Sequence, residues 1–188
     1  MAATSPHFFE LEETRLGTAA VLWREDASGP RIVRICLPAP VGTIRRALRR
    51  DFPGALRKSC GVVDRLRRGI GEFLSGRHTR FDTSAFDMDP IPPYHRKVLA
   101  ELERIPRGKV APYGRIASRT GAPRGARAEG QGCGKNPFPI VYPCHRVVRA
   151  DGSLGGFGGG LALKKALLEM EGVRFDAKGK ALPDHILR

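Results

Sequence analysis

In the second half of the chain, apolar side chains recur every three or four positions. Tyr94, Val98, Leu99, Leu102 and Ile105 form one stripe, with Arg96, Lys97, Glu101 and Glu103 on other faces, which predicts a helix ending near Pro106-Arg107-Gly108. Residues 113–120 read as a second short helix stopped by Gly121, and a third can start near Ala126, after Ala122-Pro123-Arg124-Gly125. Helix, turn, helix is the layout of many DNA-binding modules, and also of an ordinary pair of core helices. The first half is patterned differently. Residues 18–23 and 31–37 are short runs of strand formers around Asp26-Ala27-Ser28-Gly29-Pro30, which predicts a hairpin. Ile44, Ala47 and Leu48, then Val62, Val63, Leu66, Ile70, Phe73 and Leu74, return to helical spacing. Residues 81–93 carry Asp-Pro and Pro-Pro breaks and few periodic apolar positions, so they read as a connector. Two domains are expected, 1–90 mixed α and β and 91–188 mainly helical.

Composition narrows the partner. The 188 residues hold 41% hydrophobic and 28% charged positions, ordinary for a folded chain, but 33 Lys plus Arg against 19 Asp plus Glu leave a formal charge of +14. Such an excess favours phosphates or another acidic surface. No apolar run has the length of a membrane span, and residues 1–14 hold three glutamates without the basic start of a secretion signal, so an intracellular, cytoplasmic protein is expected, nuclear if the source is eukaryotic. Cys36, Cys60, Cys133 and Cys144 lack zinc-module spacing and the five histidines are scattered, so reduced thiols, no metal and no cofactor are expected.

The segment Ile140-Val141-Tyr142-Pro143-Cys144-His145-Arg146-Val147-Val148 carries candidate chemistry. A thiol beside an imidazole in a basic chain favours the thiolate, the nucleophilic form. This segment resembles the Pro-Cys-His-Arg active-site motif of the O6-alkylguanine-DNA alkyltransferases, also called methylated-DNA–protein-cysteine methyltransferases. Order and spacing continue the resemblance from about Pro92 to Gly172: Tyr113, then Ala126-Arg127-Ala128, Asn136-Pro137-Phe138-Pro139, the glycines 155–160, Leu161, Lys164 and Glu171-Gly172.

The resemblance implies an α+β fold, with a small ribonuclease H-like N-terminal domain and a helical C-terminal domain whose helix-turn-helix (winged-helix-like) enters the minor groove. It implies direct, single-turnover transfer of an alkyl group from O6-alkylguanine in double-stranded DNA to Cys144, by a monomer; activity on O4-alkylthymine stays open. Under it His145 is a general base acting through water, Glu171 orients the imidazole, and Asn136 ties the recognition helix to the active-site strand. Tyr113 donates to the guanine ring as charge leaves O6. Pro139, Phe157, Gly158 and Lys164 shape the guanine pocket, and the carbonyls of Cys144 and Val147 receive the exocyclic amine. Arg127 fills the gap left by a flipped nucleotide, while Gly114 and Ala150 meet the DNA backbone.

Residues 126–134 contain three glycines, each costing a helix about 1 kcal/mol. Close approach to a minor groove about 6 Å wide would use them, and a loop with one helical turn would equally account for them. Three positions depart from the family pattern: Glu129 replaces an apolar residue, Gly158 a frequent serine, and Pro92-Pro93-Tyr94-His95 a Pro-Phe-Gln-like start. Rival readings are a non-catalytic binder of alkylated DNA, whose kind carries tryptophan at the cysteine position, a cysteine hydrolase, and a plain helix-turn-helix regulator. The residue at 144 is cysteine, protease signatures are missing, and the glycine run lacks the Gly-Lys-Ser/Thr ending of a phosphate loop.

Overall fold

The structure, a computed structural model, describes residues 6–121 and 135–187. It divides into two compact units, Met1–Met88 and Asp89–Arg188.

In the first unit β1 (His7–Thr14), β2 (Gly17–Asp26) and β3 (Gly29–Ala39) form an antiparallel meander, and the two-residue β4 (Leu56–Arg57) adds to β1 in parallel, giving the order β3-β2-β1-β4. The predicted hairpin is β2–β3, closed by a two-residue loop with Asp26 opposite Gly29. β1 is hard to read from sequence because the face it turns toward α2 carries the carboxylates of Glu10 and Glu12 beside Phe8. Glu10 and Glu12 are held by Arg57 and Arg67, at 3.2 and 2.5 Å, so an acid-rich strand is tolerated. Between β1 and β2 the chain turns at Gly17, whose φ of 112° an L side chain would resist and whose added Cβ would sit 2.9 Å from the Ala39 carbonyl.

Alternation in the sheet sends Ala20 and Leu22 to one face, where they meet Ile44 and Leu48 of α1 (Val41–Asp51). The opposite face carries Phe8 against Trp23, their rings 4.8 Å apart, and faces α2 (Gly61–Leu74), which packs on β1 and β2 through a stripe containing Val63, Leu66, Ile70 and Phe73. Trp23, almost fully buried, donates its indole N–H to the Lys58 carbonyl at 2.9 Å, as a buried indole must. No helix of the described residues is long and apolar enough to cross a membrane.

The second unit begins with α3 (Pro93–Glu103), whose stripe Val98, Leu99 and Leu102 is buried as the spacing predicted. Glu101 on the same helix is also mostly buried, and Arg104 and Arg119 compensate it at 2.5 and 3.6 Å. β5 (Ala111–Pro112) runs directly into α4 (Tyr113–Arg119), which stops at Gly121 with φ 85°. The third helix expected near Ala126, with Arg127, Glu129 and Cys133, lies outside the described residues. Past it a short 3-10 turn (Cys144–Arg146) leads into β6 (Val147–Val148), which pairs in parallel with β5, and α5 (Gly160–Met170) follows. Val110, Val148, Leu168, Val173 and Ala181 form the core of this unit, with Leu154, Phe175 and Ile186 packed against it. Residues 174–187 fold back over that core: the Val110 N–H donates to the His185 carbonyl and the Leu187 N–H to the Val110 carbonyl, both at 2.8 Å.

Candidate active site

Cys144 is placed by two local devices. Pro143, at φ −79° and ψ 66°, makes an inverse γ-turn in which the Cys144 N–H donates to the Tyr142 carbonyl at 2.8 Å. The Asn136 side chain donates to the same carbonyl at 2.7 Å and accepts the Phe138 N–H at 2.9 Å, so it clamps both ends of residues 138–142. Inside that clamp Ile140 is buried with φ 77°, the single non-glycine residue with positive φ among the described residues. A β-branched side chain is strained there, and such outliers persist only where surrounding contacts over-determine them.

Helix α5 delivers Glu171 through a Schellman ending. Gly172, at φ 91°, donates to the Glu169 carbonyl at 2.9 Å, and the Val173 N–H donates to the Leu168 carbonyl at 2.9 Å. Val173 and Leu168 are core neighbours, which supplies the apolar contact of this motif. The Glu-Gly pair at 171–172 therefore has a mechanical meaning: glycine takes the left-handed residue, and the preceding carboxylate is fixed at the helix end. Helix C-termini disfavour a carboxylate, so a cation must offset it. Arg146 does so with a two-pronged contact, Nε to Oε2 and Nη2 to Oε1, both 2.8 Å, while its Nη1 donates to the Ile105 carbonyl at 2.6 Å. The sequence reading passed over this role of Arg146, although the residue stands in the motif itself.

His145 is fully buried, with Nε2 3.0 Å from Oε1 of Glu171. Burial pushes the imidazole pKa down, and the nearby Arg146 and Lys164 charges add to this against the pull of Glu171, so the ring rests neutral at pH 7 and its Nε2–H donates to the carboxylate. For Glu171 burial pulls upward, but the hydrogen bonds from the His145 ring and the Arg146 guanidinium, together with the Arg146 charge, outweigh that and hold the carboxyl at about 2.

Cys144 itself is 6% exposed, and burial raises its thiol pKa. A hydrogen bond from Asn136, the charge of Lys164 and the backbone N–H groups of Cys144 and His145 oppose that rise without overcoming it. This corrects the expectation that adjacency to an imidazole favours the thiolate: the neighbouring ring is neutral, turned to Glu171, and the resting sulfur stays protonated. Burial also pushes the Cys36 thiol up, to about 11.

Lys164, expected to shape the guanine pocket, lies beneath the surface. It is fully buried, and its ammonium donates to the carbonyls of Val147 at 2.6 Å, Gly156 at 3.3 Å and Leu154. These bonds clasp the loop at 154–156 to β6 from beneath. They also occupy one lone pair of the Val147 carbonyl, leaving the second for any further donor. The loop in turn touches Tyr113: its hydroxyl donates to the Gly156 carbonyl at 3.3 Å, and an added Cβ on Gly155 would come within 3.0 Å of its ring. Because Ala111 pairs with Val147, the β5–β6 ladder fixes Tyr113 relative to the Cys144 turn.

The remaining predicted positions are spread around this center. Pro139 is buried within the clamped segment, whereas Phe157 is partly exposed and Gly158 is exposed with open space where a side chain would stand. Gly114 and Ala150 are exposed, on the first turn of α4 and in the turn after β6. An open cavity of about 450 Å³ flanks the loop, lined by residues that include Arg149, Leu154, Gly156, Phe157 and Leu161.

The family profile described as "6-O-methylguanine DNA methyltransferase, DNA binding domain" matches residues 93–173, within the second unit. The methylated-DNA–protein-cysteine methyltransferase of Mycobacterium tuberculosis is 42% identical over 125 residues, covering 66% of this chain and 70% of that protein. This chain belongs to the methylated-DNA–protein-cysteine methyltransferase family. The enzyme of the same name from Methanothermobacter thermautotrophicus is 44% identical over 118 residues, 62% of this chain and 65% of its own length. Among solved structures, the Mycobacterium tuberculosis O6-methylguanine methyltransferase superposes with a TM-score of 0.68 at 28% identity, over 91% of this chain and 96% of that one. A Mycobacterium tuberculosis relative in complex with DNA gives 0.65 at 28% identity, over 87% and 92%. The mixed α and β architecture is thus that of this family.

Proposed function

We propose that this chain repairs DNA by moving an alkyl group from O6 of guanine to Sγ of Cys144, once per molecule. The observation that carries the reading is the linked set His145, Glu171 and Arg146, in which Nε2 of His145 lies 3.0 Å from Glu171 and Arg146 forks onto the same carboxylate, with His145 next to the buried Cys144 in the chain. In the step, sulfur attacks the saturated carbon, a C–S bond forms, and the C–O6 bond breaks with its electron pair leaving on the base. The thiol proton has to leave as attack begins. With Nε2 committed to Glu171, proton exchange with the thiol runs through Nδ1 of His145, by way of a water, and the imidazolium so formed is balanced by the ionised Glu171.

Holding the sulfur as a neutral thiol at rest has a use. A permanently exposed thiolate would be consumed by any electrophile, whereas a buried thiol reacts only when a base is delivered beside it. The product thioether is a very poor leaving group, so no turnover follows. Tyr113 would donate its hydroxyl to the departing base, releasing the Gly156 carbonyl to do so. The carbonyls of Cys144 and Val147, with Pro139, Phe157 and Gly158, would form the base pocket, while Lys164 keeps the loop in place instead of touching substrate. Gly114 and Ala150 would meet DNA phosphates through their main chains, and Arg127 would occupy the place of the extruded nucleotide.

The substrate is double-stranded DNA containing O6-alkylguanine, bound by a monomer. The fold assignment that goes with this reading is a ribonuclease H-like first unit and a helix-turn-helix in the second, with α4 as its first helix. The test is stoichiometry. With excess duplex carrying labelled O6-methylguanine, transfer should stop at one methyl per protein molecule, and Cys144→Ala should transfer none while still binding DNA. Transfer continuing beyond one equivalent would overturn the reading.

A further inference from the structure

The first unit holds a surface whose chemistry the alkyl transfer does not use. Among β1, α1 and residues 52–57 lies an open cavity of about 500 Å³. Phe9, Leu11, Leu48 and Phe52 give it an apolar floor, and its charged lining consists of Arg45, Arg49 and Arg57, with no carboxylate among the lining residues. Phe9, Leu11 and Phe52 pack on the cluster of Ala20, Leu22, Ile44 and Leu48 yet stay partly exposed, so that cluster is open on this side.

The arginines here are not all accounted for by the fold. Arg57 holds Glu10, and Arg34 and Arg50 share Asp51. Arg45 and Arg49 make no ion pair among the described residues, and both are exposed. They stand one turn apart on α1, a spacing at which like charges repel and weaken a helix. That helix has no acidic residue in its first turn and no side-chain cap, and only Arg49, in its last turn, gains from the helix dipole. Two exposed guanidinium side chains one helical turn apart, both lining a cavity with an apolar floor, suit carboxylates, which such groups bind in fork geometry.

We propose that this cavity docks an acidic peptide segment of a partner protein that carries a bulky apolar anchor. The anchor sits on Phe9, Leu11, Leu48 and Phe52, and the carboxylates pair with Arg45 and Arg49. A volume of about 500 Å³ lies within the range of sites that bury a compact apolar group. Duplex DNA is a poorer fit, because phosphates need cations but leave an apolar floor unused. None of these residues belongs to the alkyl-transfer site, so this inference stands or falls separately from that reading.

The test uses the full chain and a fluorescein-labelled peptide, Asp-Asp-Asp-Leu-Phe, followed by fluorescence polarisation. Saturable binding is expected, weakened by about tenfold or more in the double variant R45E/R49E, as loss of charge-assisted hydrogen bonds requires. Replacing Leu and Phe of the peptide by Ser should weaken binding similarly. The variant should melt like the parent, since both arginines are exposed, and should transfer alkyl groups at the parent rate. R45Q/R49Q serves as a milder second variant if charge reversal disturbs folding. Failure of the peptide to saturate, or binding indifferent to both arginine variants, would overturn the proposal. So would a result in which only a labelled single-stranded oligonucleotide loses affinity on substitution, since that marks a nucleic-acid surface.

Discussion

Replacing Glu171 by Gln probes the center of the site with a magnitude that follows from its electrostatics. The carboxyl lies at about 2 in the folded chain against an ordinary value of 4.5, and the group is buried. At 1.36 kcal/mol per pKa unit this corresponds to about 3 kcal/mol of stabilisation at neutral pH. A similar figure, about 3–5 kcal/mol, is typical for removing one partner of a buried ion pair, here with Arg146 left facing an amide. For a chain of this size the melting temperature should fall by roughly 6–12 °C. The sign with pH is fixed, because a depressed carboxyl contributes fully above its unfolded value and loses that contribution as pH falls toward the folded one. Between pH 4.5 and about 2, each pH unit should therefore narrow the gap between parent and variant by about 1 kcal/mol. Urea titrations followed by helical circular dichroism at pH 7 and pH 3.5 measure it. A gap below 1 kcal/mol at pH 7, or one of equal size at both pH values, would refute the charge-pair reasoning.

Other substitutions address the remaining parts of the site. His145→Gln should slow alkyl transfer at pH 7 by about 10²–10⁴-fold, with the deficit shrinking as pH rises and hydroxide takes the thiol proton; single-turnover rates against pH would show this. Lys164→Met should leave three carbonyls without their shared donor, costing about 3 kcal/mol or more in urea titrations, and should raise the thiol pKa of Cys144 read from its alkylation rate against pH. Gly155→Ala adds a Cβ at φ 66° and 3.0 Å from the Tyr113 ring, so it should cost about 1–3 kcal/mol and slow transfer by displacing that ring, measured by thermal melt and rate together.

The motif around Cys144 was readable because its order and spacing are specific, and the hairpin and apolar stripes because their periods are plain. What escaped was set by three-dimensional compensation. β1 carries glutamates that are acceptable only because Arg57 and Arg67, far along the chain, neutralise them. The role of Arg146 depends on a helix end 25 residues away, and no local pattern announces it. The state of the thiol depends on burial, which adjacency in sequence cannot convey. Lys164 reads from sequence as a shaper of the guanine pocket, and only the three converging carbonyls reveal an internal clasp.

The central claim is that one sulfur takes the alkyl carbon and keeps it. Peptide-resolved mass spectrometry after reaction with duplex O6-methylguanine tests it most directly. The expected result is one methyl equivalent on the peptide containing Cys144, persisting indefinitely, with Cys36, Cys60 and Cys133 unmodified. A methyl group found on any of those three, or a Cys144 adduct that disappears as free protein is regenerated, would contradict the account.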